Sequence, residues 1–209
     1  MILYSSQKNK FLIYTHIQKC AGMFIAELFK FNASYHHYCS NDRHATLSED
    51  IQFLKDKKIS TNEVFSFTCI RNPWDRIVSF YHFSKQTNYA NFYELCNKYC
   101  FSDFLKFSEE NHKKIPAFQT YKSRICHENK IAICFFVNFH NLIYDLNKIV
   151  KIKHNLKKIN ISEHECYKFY YNSTSEDIIR NIFKEDIEQF NFSFDKTSQL
   201  KKPTFVIKI

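Results

Sequence analysis

Two short stretches each set a fixed cation beside hydrogen-bond donors, the combination that grips phosphate. In THIQKCAGMF (Thr15–Phe24), Lys19 stands three residues before Gly22. Gly22 is the one glycine of a 209-residue chain, where average usage would supply about fifteen. A helix N-terminus offers unpaired N–H groups and a partial positive charge, and so suits an anion. Glycine at such a turn lets the main chain approach, because a Cβ would block the contact or forbid the dihedrals. A tight turn with no ligand has the same features, and the GxxxxGK[ST] pattern is absent, so this stretch alone leaves both readings open.

The second stretch is FSFTCIRNPWDRIVSFYHF (Phe65–Phe83). Arg71 ends an apolar run, and Ser79 lies eight residues on, about two helical turns later. A guanidinium forks two phosphate oxygens and a hydroxyl donates to a third. Asp75 and Arg76 are expected to hold the turn as an ion pair, with Trp74 and Tyr81 packed. The plain alternative pairs Arg71 with an acid and makes Ser79 an ordinary helix hydroxyl.

The elements that must position these residues follow from periodicity. Phe11–Ile17 reads as a buried strand, and the segment from Ala21 to Phe31 has helical spacing, with Phe24, Leu28 and Phe31 on one face. NASYHHYCSNDRH is a polar connection. TLSEDIQFLKDKK reads as a helix capped by Thr46 or Ser48. Glu63–Ile70 is a second strand, and Pro73 suits the first turn of the next helix. Residues 91–112 form short helices, and Ile115–Lys130 has no period and reads as a long surface loop. Ile131–Phe139 is a third strand, followed by a helix in HNLIYDLNKIVKIKHNL. Thr174–Phe190 is the clearest helix, capped by Thr174 or Ser175. Strands separated by helices imply an α/β fold with a parallel sheet covered on both faces. One domain over residues 1–209 is expected, with a basic tail from about 195 whose TFVIKI end could add an edge strand.

Composition sets limits. Thirty Lys+Arg against 21 Asp+Glu give a formal charge of +9, which fits an anionic partner or a lysine-rich solvated surface. Nucleic acid is disfavoured because the aromatic residues follow core periodicity and no RNP or helix-turn-helix pattern occurs. Eight cysteines without a CxxC pair fit a reducing compartment. HHYC (His36–Cys39), with His44 nearby, has no second cluster to complete a metal site, so no metal is expected. No apolar run is long enough for a membrane span. The start lacks a signal peptide's pattern, so a cytoplasmic protein is expected if Met1 is the natural beginning.

The motifs resemble those of the carbohydrate sulfotransferases, of the heparan 2-O-sulfotransferase-like type and its bacterial relatives. HIQKCAGMF looks like that family's 5′-phosphosulfate loop, H-I-P-K-T-A-G-T-S. FSFTCIRNPWDRIVSFYHF looks like its 3′-phosphate motif, F-x-F-V-R-N-P-W-D-R-x-V-S-x-Y. RHATLSEDI is similar to an intervening K-H-A-T segment. FVNFHNLIYDLNKI resembles a strand–helix ending F-E-N-L, with His140 in the acid's place. YKFYYNSTSEDIIRNIFKEDIEQFNFSF resembles the closing helix. The likeness runs in order over about residues 11–194.

The resemblance implies a three-layer P-loop-kinase-like sulfotransferase fold with a central parallel sheet flanked by helices. It implies 3′-phosphoadenosine 5′-phosphosulfate as donor, adenosine 3′,5′-bisphosphate as product, no metal, and in-line transfer to a sugar hydroxyl. By position, Lys19 would stabilise the leaving group. Backbone groups of the stretch Lys19, Cys20, Ala21, Gly22, Met23 and Phe24 would hold the 5′-phosphate. Arg71 and Ser79 would bind the 3′-phosphate. His44 would be the general base, with Glu49 as the rival. Lys122, Arg124 and His127 are expected to meet the acceptor, an anionic glycan or a lipid-linked sugar. Cys20, Met23 and Phe24 stand where the family carries hydroxyls, which removes three side-chain donors worth roughly 1.5–3 kcal/mol each. Gln18 replaces a proline. The alternative is therefore a degenerate, non-catalytic member that binds nucleotide or glycan.

Overall fold

The computed structural model describes residues 1–38, 44–61, 64–89, 92–128, 130–152 and 162–195. In chain order the elements are β1 (Ile2–Ser5), β2 (Lys10–Thr15), α1 (Gly22–Lys30), β3 (Tyr35–His37), α2 (Leu47–Asp56), β4 (Phe65–Ile70) and α3 (Pro73–Thr87). They continue with α4 (Phe92–Lys98), α5 (Phe101–Asn111), α6 (Tyr121–Ile125), β5 (Cys126–His127), β6 (Lys130–Ile131) and β7 (Phe135–Asn138). The last three are α7 (Leu142–Ile149), α8 (Ser173–Ile182) and α9 (Lys184–Phe190). The chain forms two compact units that divide between Ile70 and Arg71 and again between Thr120 and Tyr121.

The first unit carries a five-stranded sheet of order β3-β1-β2-β4-β7. Its β2, β4 and β7 are parallel, with Thr15 opposite Thr68 and Phe67 opposite Phe135. The expected parallel sheet is in fact mixed, because β1 and β3 join antiparallel. The physical cause is a tight reversal after Ser5, where Asn9 takes a left-handed φ of 49° and returns the chain as β2. Asparagine tolerates that conformation better than most residues. Tyr35–His37, expected within a polar connection, pairs with β1 as the edge strand. Ile2, Ile13, Phe67 and Val137 are wholly buried, as are Ile25 of α1 and Leu54 of α2. Helices α1, α2 and α7 pack on β3, β2 and β7 respectively.

Residues 115–130 are not the surface loop that their lack of period suggests. Part of this stretch closes the first unit, where Tyr121 and Ile125 of α6 are fully buried and Cys126 pairs with Ile131. The segment is too short for a 3.6-residue period to repeat, so burial left no trace in the pattern.

The second unit is built around α3, buried at every residue from Pro73 to Tyr81. Asn72 caps it by accepting from the Trp74 amide at 3.0 Å, and Pro73 takes the first position as expected. The helix expected over 174–190 is two helices, broken at Phe183. Its cap is Asn172 rather than Thr174 or Ser175: the Asn172 side chain accepts from the Ser175 amide, and the Ser175 hydroxyl accepts from the Asn172 amide, both at 2.9 Å. The break buries Phe183, which stacks on Phe118 at 6.0 Å. The tail after residue 195, with its expected strand, and Cys39 of the HHYC stretch lie outside the described residues.

One histidine of α3 makes stability depend on pH. His82 Nε2 is buried without a hydrogen-bond partner, and the ring meets His164 at 5.4 Å and Tyr170 at 4.7 Å. Burial, then His164 and Lys85, lower its pKa from 6.5 to about 4. Between those values the unfolded chain binds a proton that the folded chain refuses, so stability falls as pH drops through that window. Urea titrations from pH 7 to pH 4 are expected to show the loss, and His82→Phe is expected to shrink its slope. An unchanged slope in that variant would show that His82 is not the source.

Candidate functional site

The turn from β2 into α1 is built without a glycine at its strained positions. Lys19 and Ala21 take left-handed φ values of 61° and 58°, while Gly22 and Cys20 do not have positive φ. Each left-handed non-glycine residue costs roughly 1–2 kcal/mol. Such alternation of φ turns successive N–H groups toward one side, the arrangement of an anion-binding nest. Ala21 caps α1 with no side-chain hydrogen bond. Cys20 is buried, its sulfur 3.5 Å from the Tyr121 hydroxyl, and Phe24 is buried in the core. Neither side chain is turned outward, so contact with an anion here falls to the main chain and to half-exposed Lys19.

Gly22 serves a purpose other than its expected one. A Cβ there would lie 1.8 Å from His16 Nε2 and 2.0 Å from His16 Cδ2. The imidazole occupies the space that any other residue would fill, and the dihedrals of residue 22 make no demand for glycine. The expectation that glycine clears the way for an anion is corrected to this extent: what comes close is a ring of the same chain.

His44 lies at this turn. Its ring centroid is 4.8 Å from that of His16, although 28 residues separate them in sequence. Its carbonyl accepts from Arg124 Nη2, which also donates to the Ala45 carbonyl at 3.1 Å. Arg124, expected to face an acceptor, is buried and holds the segment entering α2 instead. His127 is turned to Ser48, its Nδ1 3.0 Å from the hydroxyl. Glu49 completes a capping box, accepting from the Thr46 amide at 2.6 Å and the Thr46 hydroxyl at 2.8 Å.

The Arg71 segment opens the second unit. Arg71 Nε and Nη2 fork onto Asp75 at 2.7 and 2.8 Å, both side chains buried. In place of the expected Asp75–Arg76 pairing stands Arg71–Asp75, with Arg71 just ahead of the helix cap and Asp75 in the first turn of α3. Arg76 donates instead to the Ala117 and Gln119 carbonyls, each at 2.8 Å, and lies 4.8 Å over the Phe183 ring. Ser79 is buried with its hydroxyl 3.0 Å from that of Ser162. Trp74 and Tyr81 are buried as expected; the Trp74 indole donates to Glu176 and the Tyr81 hydroxyl to Tyr99. Burial first, and Asp75 next, raise the hydroxyl pKa of Tyr167 to about 12. A tyrosine so raised stays protonated and donates to the Phe194 carbonyl.

Sequence reasoning missed His16 at the first site, and it set Arg124 against an acceptor rather than on the His44 and Ala45 carbonyls. The signal for His16 was present, since a solitary glycine announces a close neighbour, but no pattern said which neighbour. Among the described residues no helix is long and apolar enough to cross a membrane, and no group of His, Cys, Asp or Glu is disposed to hold a metal.

Comparison with known proteins adds one finding. The model of the sulfotransferase family matches residues 4–193. No curated protein and no solved structure matches the chain. The match spans nearly the whole sequence, taking in the turn at Gly22, His44 and the Arg71 segment, and on that extent the chain belongs to the sulfotransferase family.

Proposed function

We propose that this chain transfers a sulfuryl group from 3′-phosphoadenosine 5′-phosphosulfate to a carbohydrate hydroxyl, within a P-loop-kinase-like sulfotransferase fold. The observation that carries the reading is the meeting of His44 with the Lys19–Gly22 turn: an imidazole from a distant segment stands 4.8 Å from the ring packed on Gly22. A sulfuryl transfer needs a base for the acceptor proton and a cation for the leaving phosphate, and these residue types are both present at one turn.

The donor supplies an activated S–O bond whose leaving group is already a phosphate. Lys19 neutralises the charge that grows on that phosphate, and the amides that follow it, through Phe24, hold the 5′ end. Arg71 binds the 3′-phosphate, oriented by the Asp75 fork, and Ser79 assists. His44 accepts the proton of the attacking hydroxyl. The net charge of +9 favours an anionic acceptor.

One observation favours the alternative of a non-catalytic binder: Cys20 and Phe24, where relatives carry hydroxyls, are both turned inward. Radiolabelled sulfate from the donor, offered with a panel of glycans, separates the two. Label on a glycan supports the enzyme. Nucleotide binding without any transfer across the panel supports the binder.

A further inference from the structure

We propose that His16 and His44 work as one imidazole pair that is neutral at rest and takes up a single proton, with His16 the positioning residue that fixes His44 at the turn. The inference rests on the reading of His44 as the base and concerns how that base is tuned.

The geometry is specific. His16 is buried, and its ring fills the space beside the Gly22 Cα. Tyr14 stacks at 6.0 Å with an interplanar angle of 19°, and His44 lies at 4.8 Å with an angle of 31°. Two imidazolium charges so close in a partly desolvated place repel, and protonation of one ring opposes protonation of the other. Sites that interact this way titrate in two macroscopic steps that belong to the pair.

The surroundings contain charges of both signs. Lys19 belongs to the same turn, and Arg124 donates to the His44 carbonyl; both oppose a second proton on the pair. Glu49 and Asp50 on α2 favour one, but Glu49 is committed to its capping box, and Asp50, which burial shifts upward, lies within the influence of Arg124. Cys20 beside Tyr121, and Tyr14 itself, are further titratable neighbours among the described residues. All of these are left unaltered when His16 alone is changed.

The arrangement gives His16 two tasks. It sets the spacing between the Lys19–Gly22 turn and His44, and it limits the pair to the one proton that the acceptor hydroxyl delivers. A purely structural filler would do the first and not the second.

The test is an NMR titration of the full chain labelled in its histidines, with no ligand added. In the unaltered protein the His44 and His16 signals are expected to report two steps more than about one pH unit apart. In His16→Phe, which keeps a ring against Gly22 but carries no charge, the lower of the two steps is expected to vanish from the His44 signal, leaving one step. If that variant fails to fold, His44→Gln gives the reciprocal reading, a single step in the His16 signal. A second step that survives in whichever variant folds overturns the proposal. Loss of the base reading would look different: the titrations would remain coupled while His44→Gln left sulfate transfer intact.

Discussion

Gly22→Ala is expected to destabilise the protein by about 2 kcal/mol, in a helix where alanine ordinarily gains. Residue 22 is the first of α1 and has no positive φ, so propensity alone would favour alanine by up to about 1 kcal/mol. The added methyl, however, meets His16 atoms at 1.8, 2.0 and 2.6 Å, distances that no real Cβ tolerates. To yield, the ring would have to disturb its contacts with Tyr14, stacked at 6.0 Å, and His44, at 4.8 Å. Removing the ring should reverse the sign. His16→Ala leaves a void beside Gly22, and Gly22→Ala in that background partly fills it, so the two substitutions should couple favourably by about 1–3 kcal/mol. Urea denaturation of the two single variants and the double variant measures this. A Gly22→Ala protein as stable as the parent would mean that His16 does not hold its ring against residue 22.

Lys19→Ala is expected to lower sulfate transfer by about a hundred- to a thousandfold, the usual cost of removing one donor aimed at developing charge. Stability is a separate matter, and the backbone makes the separation clean. Lys19 has φ 61°, which an alanine would also bear under strain. Glycine adopts that conformation without penalty. Lys19→Gly is therefore expected to be as inactive as Lys19→Ala while melting at a temperature no lower than the parent. A Lys19→Gly protein that kept near-parental turnover would remove the lysine from the chemistry, whatever its stability.

What the sequence disclosed follows from how far each signal reaches. Pro73 could be read because first-turn preferences act over a residue or two, and it opens α3 where expected; the Asn72 cap beside it was not read. The parallel strands β2, β4 and β7 were legible as apolar runs. β1 was not, because nothing in ILYS says that it returns antiparallel until the Asn9 reversal is seen. The Arg71–Asp75 fork was weighed only as an alternative, since sequence offers Asp75 two arginines at compatible distance and cannot choose between them. Arg76 won a different task, at the Ala117 and Gln119 carbonyls, through a contact some 40 residues away. The Gly22 puzzle was posed by sequence and answered by coordinates, because the cause lay in one ring's position. The reading of Arg124 as an acceptor contact failed for a related reason: charge suggests solvent, and only the fold shows it buried beneath His44.

The central claim is that this sulfotransferase-family chain holds a nucleotide phosphorylated at both ends, with Arg71 on the 3′-phosphate. Calorimetric titration with adenosine 3′,5′-bisphosphate tests it most directly. Because Arg71→Ala alone would leave the buried Asp75 carboxylate without its fork, at a cost of about 3–5 kcal/mol in stability, the Arg71→Ala/Asp75→Ala double variant is the cleaner probe. The account predicts binding in the micromolar range for the parent, retention within a few-fold in Lys19→Ala, and loss in the double variant. Absence of binding to the parent, or undiminished binding to a folded double variant, would contradict it.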